Sequence, residues 1–106
     1  MTPNSQLRPR KVSEIEEYSF GDEMLLALSD RGIATSLNSS AQAIWQLCDG
    51  CQTLHQMSTM LADRFGFSQE LLRQELWKQV TETIELFDRL GLLEWEHAVK
   101  SEQIAN

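Results

Sequence analysis

Cysteine, proline and basic residues are scarce in this 106-residue chain, and long apolar runs are missing. Two cysteines do not make a disulfide scaffold, and such low usage points to a reducing compartment, the cytoplasm. The longest apolar run, residues 24–28, is far shorter than the roughly twenty residues that span a bilayer, so no membrane segment is expected. Both prolines fall in residues 1–11, a polar stretch without the apolar core of a cleaved secretion signal. Nine Lys and Arg stand against sixteen Asp and Glu, a formal net charge of -7. That balance argues against a protein whose main task is neutralising phosphates. The five glycines are dispersed, which excludes the clustered glycines of a phosphate-cradling loop.

What is present is an ordinary globular composition, 42% hydrophobic and 24% charged. A chain of this mass buries roughly 65% of its surface on folding, enough for one core without staples. No internal repeat or low-complexity tract is visible. Residues 11–95 read as one domain, with residues 1–10 and 96–106 as flexible tails.

The first half reads as strands. Residues 11–18 carry Val12, Ile15 and Tyr18 in an imperfect strand pattern, and residues 24–28 form a short, strongly apolar strand. Ser29-Asp30-Arg31-Gly32 is a turn, after which Ile33, Thr35 and Leu37 alternate onto one face. Short strands with short turns predict an antiparallel meander.

The second half reads as three helices. The first starts near Asn38 or Ser39, and Ser39 with Gln42 makes a capping box; Ala41, Ile44, Trp45 and Cys48 form a stripe, and Gly50 ends it. The second starts at Thr53, with Gln56 as its box partner, and stops at Gly66. The third is capped by Ser68, with Phe67 stapling onto Leu72, and runs to about Leu90 before Gly91.

Helix three has a wide apolar arc. With Val80 at zero and 100° per residue, Phe87, Ile84, Leu76 and Trp77 fall within about 60° on either side. Leu72, Thr83 and Leu90 extend one flank towards Leu86, while Glu75, Lys78, Glu82, Glu85 and Arg89 lie opposite. Docking one helix needs a stripe of about 100°. A wider arc means burial on two sides, or a groove left open for a ligand.

Reactive chemistry has few candidates. Cys48-Asp49-Gly50-Cys51 is a single C-x-x-C with His55 close by, so Cys48, Cys51 and His55 are the candidate metal ligands. No second C-x-x-C exists to complete a four-ligand site, and Cys48 also fits the buried stripe of helix one. His55 and His97 sit in polar surroundings. No nucleophile-elbow or zincin pattern is present, so neither enzymatic activity nor a cofactor is expected. Strands followed by a helix-turn-helix raise DNA binding as the alternative, a winged-helix transcription regulator. Helix three opposes that reading: Glu70, Glu75, Glu82, Glu85 and Asp88 outnumber Arg73, Lys78 and Arg89.

The run from Leu37-Asn38-Ser39-Ser40-Ala41-Gln42-Ala43-Ile44-Trp45 through Gln46-Leu47-Cys48-Asp49-Gly50 resembles the signature of PqqD-like proteins. These are peptide chaperones, also called RiPP recognition elements. The resemblance continues through Thr53-Leu54, Leu61, Phe65 and Leu90-Gly91-Leu92-Leu93, and upstream through Pro9-Arg10 and Met24-Leu25-Leu26. It covers about residues 9–95. Phe20-Gly21-Asp22 departs from the commoner Asp-Gly turn, and Cys51 stands where a polar or basic residue is usual.

The resemblance implies an α+β, winged-helix-like fold, with a three-stranded antiparallel sheet followed by three helices. It implies a partner, the leader of a ribosomally made precursor peptide, presented to a modifying enzyme that is often a radical S-adenosylmethionine protein. The leader would add as a strand beside strand three and pack against helix three. The expected backbone contacts are Gly32, Ile33, Ala34, Thr35, Ser36 and Leu37. The expected groove residues are Leu76, Trp77, Val80, Thr83, Ile84 and Phe87, with Arg73 placed for a leader carboxylate. A monomer and a strand-exchanged homodimer both fit the sequence.

Overall fold

A computed structural model describes residues 7–97. The elements run β1 (Leu7–Lys11), β2 (Glu16–Phe20), β3 (Glu23–Leu28), a 3-10 turn (Ser29–Arg31), β4 (Ile33–Leu37), α1 (Ser39–Gln46), α2 (Leu54–Phe65), α3 (Glu70–Arg89) and β5 (Leu93–His97). Strands β2, β3 and β4 form a three-stranded antiparallel sheet with β3 in the middle, followed by the three helices. This is the expected α+β arrangement.

The first expected strand, residues 11–18, is instead two strands of different sheets. β1 ends at Lys11 and β2 begins at Glu16. Val12 and Ile15 are half-buried against the core from the turn between them, so their apolar spacing reports packing rather than strand alternation. β1 pairs antiparallel with β5, with Pro9 opposite Trp95. Ordered backbone therefore extends beyond the expected 11–95 unit at both ends; residues 1–6 and 98–106 of the expected tails lie outside the described residues. On its other side β1 meets the loop after α1. The Lys11 N–H donates to the Cys48 carbonyl at 3.2 Å, and the Gly50 N–H donates to the Pro9 carbonyl at 2.9 Å. The N–H that Pro9 lacks would point to that irregular loop rather than to β5, so the proline costs no ladder bond.

Helix boundaries follow local side-chain chemistry. Asn38, not Ser39, caps α1 by accepting the Ala41 N–H at 2.9 Å. Gln42 is thereby released from the expected box, and its Nε2 donates to the carbonyls of Asp22 (2.7 Å) and Leu37 (3.0 Å), closing the end of the β3–β4 ladder. The expected box on α2 forms: Thr53 Oγ1 accepts the Gln56 N–H at 3.2 Å, and Gln56 Oε1 accepts the Thr53 N–H at 2.9 Å. Helix α3 starts one residue later than Ser68 would place it, with Gln69 at the N-cap and no side-chain cap. Its 20 residues span about 30 Å.

The core lies between the inner sheet face and the helices. Met24, Leu26 and Leu28 alternate into it from β3. Trp45 and Phe87 are both fully buried and meet edge to face at 5.2 Å. The Trp45 indole N–H donates to Glu17 Oε2 at 2.9 Å, and Lys11 Nζ stands 5.2 Å from the indole ring. Helix one is thus tied to β2 and to the end of β1 by a polar clasp over an apolar contact. No described helix is long and apolar enough to cross a membrane.

Candidate functional site

β4 pairs with β3 alone among the described strands, which leaves its other edge without a strand partner. The hairpin geometry identifies the groups that face outward. The β3–β4 loop is Ser29–Arg31 in 3-10 conformation plus Gly32 at φ 65°, closed by the pair Leu28 and Ile33. A closing pair of this kind is hydrogen-bonded, so Ile33, Thr35 and Leu37 direct their backbone groups to β3. The bridge from Gln42 to both the Leu37 and Asp22 carbonyls agrees with that parity. Alternation turns the N–H and C=O of Ala34 and Ser36 to the free edge, and their side chains are exposed.

Helix α3 approaches the segments on either side of β4 in the chain. Its early turns meet α1, the element directly after β4: Leu72, Glu75, Leu76 and Gln79 share a pocket with Ser40, Ala43 and Ile44. Just past its far end, a Cβ at Gly91 would stand 2.5 Å from the tip of the Arg31 side chain, two residues before β4, and it is the φ of 79° at Gly91 that calls for glycine. The start of α3 thus lies near the element after β4, and the residue past its end lies near the loop before β4. The pocket at the α1 end has a volume of about 270 Å³ and is completed by Leu61, Phe65 and Phe67. Phe65 and Leu72 are 48% and 43% exposed, unusual for side chains that rim an apolar hollow without a partner.

The residues expected to line the groove divide four ways. Val80, Ile84 and Phe87 are fully buried and belong to the core, where no ligand reaches them without unpacking it. Leu76 is 8% exposed and forms the pocket floor. Thr83 is half-buried on the groove flank. Trp77 and Arg73 lie on the other flank, in a polar cleft of about 440 Å³ between α2 and α3. There His55 and Trp77 meet at 6.2 Å, and Arg73 Nη2 bonds Asp63 Oδ1 at 3.1 Å. Arg73 is thus committed to α2 rather than to the β4 groove. The missed residues are Leu72, Gln79, Phe65 and Phe67. The flank holding Leu72, Thr83 and Leu90 was visible on the helical wheel, but not which flank α2 would cover.

The cysteines offer no paired thiolates. Cys48 is fully buried, its thiol donates to the Ile44 carbonyl at 3.4 Å, and burial pushes its pKa up to about 12. Cys51 is exposed. His55 faces Trp77 across the polar cleft. Among the described residues no group of three or more His, Cys, Asp or Glu is arranged to hold a metal ion.

No curated protein matches the chain. Among solved structures, "TbiB1 in Complex with the TbiA(beta) Leader Peptide" matches with a TM-score of 0.65 at 15% identity, over 80% of this chain and 94% of that one. At such identity the likeness is one of fold. The sequence profile of Coenzyme PQQ synthesis protein D (PqqD) matches residues 23–93, from the start of β3 to the first residue of β5, and the chain belongs to that family.

Proposed function

We propose that this chain is a non-catalytic peptide chaperone of the cytoplasm. It takes the leader of a ribosomally synthesised precursor peptide as an added strand along β4 and presents it to a modifying enzyme, such as a radical S-adenosylmethionine protein. The observation that carries the reading is the β4 edge without a strand partner, with an apolar pocket at α1, the element that follows β4. The leader peptide named in the complex of the structural neighbour supports it.

The energetics explain why both banks are needed. Ala34 and Ser36 offer two N–H and two C=O groups. At about 0.5–1.5 kcal/mol net per hydrogen bond, four bonds give about 2–6 kcal/mol. Ordering a disordered peptide costs about 2–5 kcal/mol. Backbone pairing alone therefore leaves little net affinity. Burying one large apolar side chain adds about 1.5–3 kcal/mol, and the Leu76-floored pocket can take one. Its volume lies below the roughly 300–1,000 Å³ of sites for whole small molecules, which suits a side chain better than a free ligand.

The test is an NMR titration of labelled protein with the leader of a short precursor-like reading frame found beside its gene. Saturable shifts confined to residues 32–37 and to the Leu72, Gln79 and Thr83 flank of α3 are expected. Shifts confined to the α2–α3 cleft, or tight binding of duplex DNA that falls steeply with salt, would overturn the proposal.

A further inference from the structure

We infer that the peptide this groove selects carries a bulky apolar residue with a lysine or arginine within two positions of it. The apolar residue would enter the pocket at the α1 end, and the cation would meet Glu75. The inference rests on the strand-addition reading and adds to it the chemical class of the recognised segment.

The argument comes from the charges around the pocket. Glu75 is the charged side chain among those lining it, and it is exposed. It forms no ion pair with another described residue. Lys78, the nearest cation in sequence on that side, lies about 60° further round the helix. Arg73 is on the opposite flank, paired to Asp63. The β4 bank holds Ala34, Ser36 and then Ser40, none of them charged. The pocket is thus apolar, with one unpaired carboxylate at its rim. The net charge of -7 makes the long-range field favour a cationic ligand as well. An acidic peptide laid here would set its carboxylates against Glu75 without compensation.

The pocket is contiguous with the place where strand pairing would occur. Ser40 and Ala43 stand three and six residues past Leu37, the end of β4.

The probe is a library of random extended peptides displayed on phage and selected against the full chain. The expected enrichment is a Phe, Tyr, Leu or Ile with Lys or Arg within two positions. Selection against the Glu75→Lys protein should exchange that preference for Asp or Glu. With selected peptides made synthetically, replacing the lysine by glutamate should weaken binding about tenfold at low salt and less at high salt. Shifts of residues 32–37 in the labelled protein report strand addition separately. Peptides that shift β4 yet show no basic preference, or an acidic one, would refute this inference and leave strand addition standing. Peptides that shift other residues, or a library that yields no binder, would refute both.

Discussion

Replacing Ala34 by proline removes one outward N–H from β4; replacing Thr35 by proline removes one inward N–H. The two neighbours differ only in the parity of the strand, and the structure assigns them opposite consequences. Thr35 faces Leu26 in the register, so Thr35→Pro takes away a ladder bond and leaves the Leu26 carbonyl unsatisfied beside the core. That costs about 1–3 kcal/mol, or a fall in Tm of roughly 4 °C at the least and near 20 °C at the most for a domain of this size. Ala34→Pro leaves the ladder intact, because its N–H faces solvent, and edge strands accept proline. Its cost appears in the complex, where one hydrogen bond worth about 0.5–1.5 kcal/mol is lost, a rise in Kd of roughly two- to twelvefold. The ring standing in the path of the added strand increases it. Thermal melts and calorimetric titration of both variants with a leader peptide measure the two effects separately. If Ala34→Pro binds as tightly as the parent, strand addition at β4 is refuted. If it melts as low as Thr35→Pro, the parity assigned from the hairpin is wrong.

Other consequences can be checked singly. Leu72→Ser should weaken peptide binding by about tenfold or more with little change in Tm, whereas Trp77→Ser, on the α2 flank, should leave affinity unchanged; equal effects in the same titration would remove the distinction between flanks. Thr53→Ala breaks the capping box of α2 and should cost about 1 kcal/mol in urea unfolding. Gly91→Ala should destabilise by about 1–2 kcal/mol, since an L residue at φ 79° is strained and its Cβ meets Arg31. The gap between it and Gly91→Ala with Arg31→Ala measures the contact alone. The buried Cys48 thiol binds its proton more tightly folded than unfolded. Its contribution is complete below the ordinary thiol pKa near 9 and is lost as pH rises towards about 12. Stability should therefore fall across that window, and Cys48→Ala should flatten the slope.

The chain's local chemistry settled a good deal without its fold. The alternation of Ile33, Thr35 and Leu37 fixed β4 and its inward face, because a strand has period two and only one face meets the core. Thr53 with Gln56 fixed the start of α2, because that box closes within four residues. The low count of basic residues disfavoured nucleic acid. The run from Leu37 to Gly50 carried the family resemblance that the profile over residues 23–93 bears out. Tertiary structure decided what depends on distant partners. β1 exists because β5 and the loop at Cys48 and Gly50 flank it, and residues so far apart leave no periodic trace near Pro9. Asn38 rather than Ser39 caps α1, and the Gln42 side chain donates to the carbonyls of the distant Asp22 and of Leu37. Above all, the wide arc of α3 could not be divided from its own spacing. Helical periodicity states which side chains share a face, but not which neighbour covers it. Only the docking of the helices put Trp77 and Arg73 in a cleft with α2 and set Leu72, Leu76 and Gln79 around a pocket with α1 and the end of α2.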